Sequence, residues 1–230
     1  YANSVAVDYT AYYYDVSGTA TRAGTATINN RMSLSHTTKN AIASGFAAEA
    51  NTKSITSYLG GVGDEQSNMT TKYAGTDAID YTYYYYGSTL AIAGATVNTA
   101  MKLSQTQKTA TRPTANVADS NTKSITSYEG ALGDEQSDIT TKYAGITAID
   151  YTYYFYGSTN AIAGTTVNTA MNLSQTQKTA TRPTAGTANS NTKSITFYKN
   201  TVGDEQSDYT VKYANSVAVD YTAYYYDVSG

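Results

Sequence analysis

The chain has 230 residues, with 18 acidic and 15 basic side chains, a formal net charge of −3, one histidine and no cysteine. So weak a charge leaves no electrostatic footprint for nucleic acid. The missing cysteine excludes disulfide scaffolds, thiolate nucleophiles, iron–sulfur clusters and Cys-based zinc sites, and no stretch approaches the roughly 18 apolar residues of a spanning helix.

Large apolar surface comes from an unusual source. There are 25 Tyr, against 32 Leu, Ile, Val and Phe together, and 40 Thr. Tyr and Thr favour strands, and the low charge argues against disorder despite the thin aliphatic content. A chain opening on Tyr1 without an initiator Met carries the expectation that a leader was removed.

Internal repetition organises the sequence. Residues 51–120 and 121–190 both begin NTKSITSY and differ at 14 positions, leaving 56 identical. A third copy starts at Asn191 as NTKSITFY, and residues 1–50 match the back part of a unit through YANSVAVDYTAYYY and MSLSHTTK. The expected organisation is a partial repeat at 1–50, full repeats at 51–120 and 121–190, and a partial repeat at 191–230. Residues 1–18 and 213–230 are identical at 18 of 18 positions, whereas 1–18 matches 73–90 at only 9 of 18. This duplication leads to an expectation of head-to-tail assembly into a filament or closed ring, abolished by deleting 213–230, with two alternatives open: a record of gene amplification alone, or a chain that is part of a longer array.

Chain order gives the elements of one unit. Strands are predicted over Lys53–Tyr58, Met69–Ala74 and Ala78–Tyr86, with GGVGDEQS as a loop and Gly75–Asp77 as a turn. A long or bent fourth strand is predicted over Leu90–Gln105, followed by TATRPTA. Asn40–Ala50 departs from the repeat and is the one place where a short helix is expected. The fold class is therefore all-β: tandem repeats of about 70 residues, as β-arch or meander units stacked into an amyloid-like polymeric sheet or hoop.

Within DYTYYYY, Tyr81, Tyr83 and Tyr85 share one strand face, and Thr82, Tyr84 and Tyr86 the other. Aromatic rings on both faces suggest a strand sandwiched between layers, its hydroxyls partnered at the margins. Phe155 replaces one of these tyrosines in the second unit, which favours packing over proton chemistry. The candidate assembly ladder is Tyr9, Tyr12, Tyr13 and Tyr14; Tyr81, Tyr83, Tyr84 and Tyr86; Tyr151, Tyr153, Tyr154 and Tyr156; and Tyr221, Tyr224, Tyr225 and Tyr226. Equivalent strands are expected to stack like on like.

Chemistry-bearing motifs are sparse. The Gly60–Gly63 run reads as a loop tip, because its counterparts EGALG and KNTVG do not keep the glycines a phosphate cradle needs. The recurrent GDEQS loop offers Asp64 and Glu65, Asp134 and Glu135, and Asp204 and Glu205 as weak Ca²⁺ candidates, two side chains where a cage takes six to eight oxygens. Asp8, Asp80, Asp150 and Asp220 precede the tyrosines and are expected to pair with Lys or Arg. His36 reads as a surface imidazole on a polar strand, and Asn68–Met69–Thr70 is a sequon at a strand start. No base–nucleophile pair or nucleotide motif is present, so neither an enzyme nor a cofactor is expected.

NTKSIT, GDEQS and DYTYYYY, carried on near-identical Tyr- and Thr-rich units without cysteine, resemble the sheath proteins of filamentous methanogenic archaea. Those are amyloid-like proteins whose subunits join into hoops stacked as a tube around the cell. The resemblance implies an extracellular, stiff and semi-permeable structural layer whose partner is the protein itself, with no catalytic residues, nucleic acid or membrane insertion. Two other readings stay open: a surface adhesin or S-layer-like repeat that binds glycans through exposed Tyr faces, and an ice-binding array built on Thr109–Thr111 and Thr179–Thr181.

Overall fold

The computed structural model describes residues 8–166 and 168–226; of the duplicated segments, 1–7 and 227–230 lie outside the described residues. The chain divides into two compact units, one ending at Val117 and the other beginning at Ala118.

The first unit contains β1 (Asp8–Val16), β2 (Thr19–Arg22), β3 (Met32–Lys39), β4 (Thr52–Leu59), β5 (Gln66–Ala74), β6 (Asp77–Tyr86), β7 (Ala91–Ile92) and β8 (Met101–Gln107). Their order across the sheet is β8-β6-β5-β4-β3-β1-β2, with β7 on β6. The second unit contains β9 (Thr122–Glu129), β10 (Gln136–Ala144), β11 (Thr147–Tyr156), β12 (Ala161–Ile162), β13 (Met171–Gln177), β14 (Thr192–Lys199), β15 (Gln206–Ala214) and β16 (Val217–Ala223). It runs β16-β15-β14-β13-β11-β10-β9, with β12 on β11. Both are antiparallel meanders, so the all-β class expected from the sequence is what forms.

The alternation of side chains explains why these segments pair. On one face Thr56, Thr70, Thr82 and Thr106 stand side by side across β4, β5, β6 and β8. Their hydroxyls meet at 2.8 Å (Thr56–Thr70) and 2.9 Å (Thr82–Thr106). Thr126–Thr140, Thr152–Thr176 and Thr196–Thr210 repeat the contact in the second unit. Each cross-strand pair stabilises the sheet by a few tenths of a kcal/mol to about 1 kcal/mol.

The other face is the core. Tyr83 and Tyr85 are each 2% exposed. The segment following β8 folds over them: Tyr83 donates to the Ala110 carbonyl, Tyr85 donates to the Pro113 carbonyl at 2.8 Å, and the Arg112 guanidinium lies 4.6 Å from the Tyr83 ring centre. In the second unit Tyr153, Phe155, Leu173 and Ile195 form the buried cluster, with Ile139, Ala185 and Phe197 against it. Arg182 lies over Tyr153 at 4.7 Å and bonds Asp138 at 2.6 Å. Asp138 is the extra residue of a bulge, where the register skips between Ser137 and Ile139; this turns its carboxylate to the core face.

Four expectations are corrected. Asn40–Ala50 is not helical; it is a loop whose Ala43 is buried against Ala11 and Tyr13. Its alanine-rich composition serves close packing over β1, which sequence periodicity cannot separate from helix propensity. Leu90–Gln105 is not one bent strand: β7 is only two residues long, and a turn-rich segment carrying Gly94 (φ 75°) and Asn98 (φ 50°) delays β8 to Met101. The layer over the tyrosine core is a loop of the same unit, and Tyr84 and Tyr154 on the opposite face lie along the sheet, their hydroxyls 3.0 Å from Thr70 and Thr140. Finally, no like-on-like tyrosine ladder forms inside either unit. Tyr83 stands between Met69 and Gln105, because a meander separates equivalent strands by a whole repeat.

Candidate functional site

The GDEQS carboxylates serve the loop that carries them. Glu65 accepts the Met32 N–H and its own Gly63 N–H, each at 3.0 Å, and Glu205 does the same for Met171 and Gly203. Asp64, Asp134 and Asp204 close the turn through their backbone N–H groups, onto Gly61, Ala131 and Thr201. Gln66 and Gln136 clasp the segment before β8 and β13: each accepts from a glycine N–H, Gly94 or Gly164, at 3.0 Å. Asp134, Glu135 and Glu205 line a cavity of about 310 Å³ with Tyr154 and Tyr156, yet among the described residues no group of three or more His, Asp and Glu is arranged to hold a metal. Of the Ca²⁺ candidates, Glu65, Glu135 and Glu205 are loop braces in this geometry, their oxygens accepting from N–H groups. Tyr156, on the same cavity, donates to the Ser137 carbonyl; burial pushes its phenol well above the ordinary range, with Tyr154, Asp138 and Glu205 adding to the shift.

His36 is a second correction at the level of sites. It is completely buried, one ring nitrogen 2.9 Å from the Gly45 carbonyl and the other 2.8 Å from the Thr52 hydroxyl. Gln105 and Gln175 occupy the same position in the other copies, also with no exposure, and reach the Val117 and Thr187 carbonyls. The shared need is a large side chain that satisfies a backbone carbonyl of the overlying loop. His36→Leu is expected to cost about 1–3 kcal/mol by removing two buried hydrogen bonds, leaving the Gly45 carbonyl with only the Tyr13 hydroxyl and the Thr52 hydroxyl with only the Glu49 N–H, whereas His36→Gln should stay within about 1 kcal/mol. Urea unfolding midpoints of the two variants provide the check.

Ion pairs follow the expected pattern. Lys53 reaches Asp8 at 2.7 Å, Lys193 bonds Asp150, and Lys212 reaches Asp220 at 3.0 Å. Lys53 and Lys193 belong to the NTK of the unit that follows their aspartate, so each reaches across an intervening strand. Asp220 is different, because it pairs with its hairpin neighbour on β15. The Lys212 ammonium holds the Asp220 carboxyl below the usual carboxylate range.

The tyrosine candidates divide by environment. Tyr13, Tyr83, Tyr86, Tyr153 and Tyr156 are buried, as are Tyr85 and Phe155. On β16 and just after it, Tyr221, Tyr224, Tyr225 and Tyr226 are all exposed, together with Val217 and Val219. The second edge of β16 carries no strand among the described residues. Arg112 and Arg182, which hold the core rings, were not singled out by the sequence; their signal was TATRP recurring at equivalent places.

No family model, curated protein or solved structure matches this chain.

Proposed function

We propose that this chain is a structural protein of an extracellular sheath or cell-envelope tube, self-assembling through β-strand pairing into hoops or filaments. It works without catalysis, a cofactor or nucleic acid. The resemblance carried by NTKSIT, GDEQS and DYTYYYY supports the setting. The observation that carries self-association is β16: a seven-residue strand, VAVDYTA, whose outer edge is unpaired among the described residues, with exposed rings on it at Tyr221 and just after it at Tyr224–Tyr226. Natural sheets blunt such edges with proline, lysine, bulges or covering chain, because an open edge templates further pairing. β16 carries no proline or lysine, its one irregularity is the register skip at Val219 against β15, and its single charge, Asp220, is held by Lys212. A patch of exposed Tyr and Val beside an open ladder marks an interaction surface.

Negative-stain microscopy of the purified protein, with fibre diffraction, tests the reading. Rings, tubes or filaments with a strand repeat of ~4.7 Å are expected. A chain that stays monomeric at high concentration and binds a glycan array would overturn it.

A further inference from the structure

The Tyr-strand recurs four times, as β1, β6, β11 and β16, and its two complete copies have the same surroundings. β6 lies between β5 and β8, and β11 lies between β10 and β13. The other two are half-complete, in complementary ways. β1 has the β8-type neighbour, β3, but nothing along its outer edge at Asp8–Tyr12 among the described residues; β2 covers only Tyr13–Val16. β16 has the β5-type neighbour, β15, but no β8-type neighbour among the described residues. Put together, β15 and β3 bound one full strand site, and two strands of identical sequence are available to fill it.

We propose that two copies of this chain join by strand exchange, β16 of one copy taking the place of β1 on β3 of the next. The inference rests on the self-association reading and names the segment that performs it. Complementarity is already on display, because β1 and β16 share the same residues over the whole duplicated segment. On β3, Tyr9, Thr10 and Ala11 stand opposite Thr38, Thr37 and His36, and Tyr13 is opposite Leu34. There Tyr13 is 3% exposed and donates to the Gly45 carbonyl at 2.7 Å, whereas its twin Tyr225 is 93% exposed. Burying Tyr225 requires the β3 surface and its overlying 43–46 loop, which each copy of the chain carries.

Plain addition of β16 to the outer edge of another copy's β1 fits less well. Equivalent strands run in the same direction in the repeat, so that contact would set two of them side by side in parallel, while every described pairing is antiparallel. It would also leave Tyr225 off the β3 surface, whereas in the exchange Tyr225 takes the buried site that Tyr13 gives up. Exchange conserves the number of ladders, since β1 leaves β3 as β16 arrives, so joining is governed by protein concentration. The Asp–Lys pattern is completed too. Asp220 gains the cross-strand position next to Lys53 that Asp8 holds within one copy.

The absence of native cysteine makes the test direct. Thr10 and Thr37 bring their hydroxyls to 3.0 Å, so Thr10→Cys with Thr37→Cys locks β1 onto its own β3 when oxidised. The oxidised chain is expected to lose end-to-end oligomers in sedimentation, and reduction is expected to restore them. Thr37→Cys with Thr222→Cys is expected to give disulfide-linked dimers and longer ladders on a non-reducing gel. Oligomers unaffected by the lock, or a 37/222 pair yielding only monomer mass, would overturn the exchange. Filaments that ignore the lock keep the structural reading and sink this inference; crosslinked dimers without filaments or rings do the reverse.

Discussion

Phe155→Ala is expected to destabilise the second unit by about 3–5 kcal/mol, the range for emptying a fully buried aromatic site. Phe155 is 2% exposed and forms one cluster with Tyr153, Leu173 and Ile195, under the Arg182 guanidinium. Total stability of a domain of this size is of order 5–15 kcal/mol, so the loss should shift the urea midpoint far enough for the second unit to unfold first. The repeat supplies the opposite substitution. Tyr85 holds the equivalent place and donates its hydroxyl to the Pro113 carbonyl at 2.8 Å. Phe155→Tyr should therefore be neutral or stabilising by about 0.5–1.5 kcal/mol, by making the matching bond to the overlying loop. If both variants unfold at the wild-type midpoint, the loop-covered face is not the core.

That pair of variants also marks what the sequence made legible. The strands β4, β5 and β6 could be placed from alternation and from the turn at Gly75, whose φ of 66° suits glycine. The duplicated Phe and Tyr sites identified packing positions, because losing a hydroxyl is tolerated where a ring is needed for volume. What stayed hidden were side chains whose job is set by a distant backbone group. His36 and Gln105 look like solvated polar residues, and only the loop arriving 9 and 12 residues later gives them a carbonyl to meet. The GDEQS glutamates stood as weak cation candidates because the N–H groups they accept from are not marked by position in the sequence. The 40–50 loop failed for a related reason: small apolar residues at helical spacing also suit a segment lying flat on an aromatic face. The open edge of β16 was foreshadowed by the duplication, but the uneven burial of the twin strands could not be read from identical letters.

Alkaline pH should unfold both units cooperatively. Tyr84, Tyr154 and Tyr156 are all raised above their ordinary value of 10.0, burial being the first cause in each case. The sign follows from which state holds its protons. Below pH 10 the phenols are neutral folded and unfolded, so the stabilisation is fully present. Above pH 10 the unfolded chain releases these protons while the folded chain retains them, and stability falls as pH climbs toward the raised folded values. A proton retained in the folded chain after the unfolded chain has lost it removes up to about 1.4 kcal/mol per pH unit, with Tyr84 acting on the first unit and Tyr154 and Tyr156 on the second. The β signal in circular dichroism should therefore be lost in one cooperative step, and the tyrosinate absorbance of the buried phenols should appear in that same step. Tyr156→Phe separates this effect from general alkaline damage: it gives up the bond to the Ser137 carbonyl, costing about 0.5–1.5 kcal/mol at neutral pH, yet removes one of the shifted phenols. The variant should be less stable than wild type at pH 7 and unfold at a higher alkaline midpoint, and ionisation of every tyrosine with the sheet intact would overturn the argument.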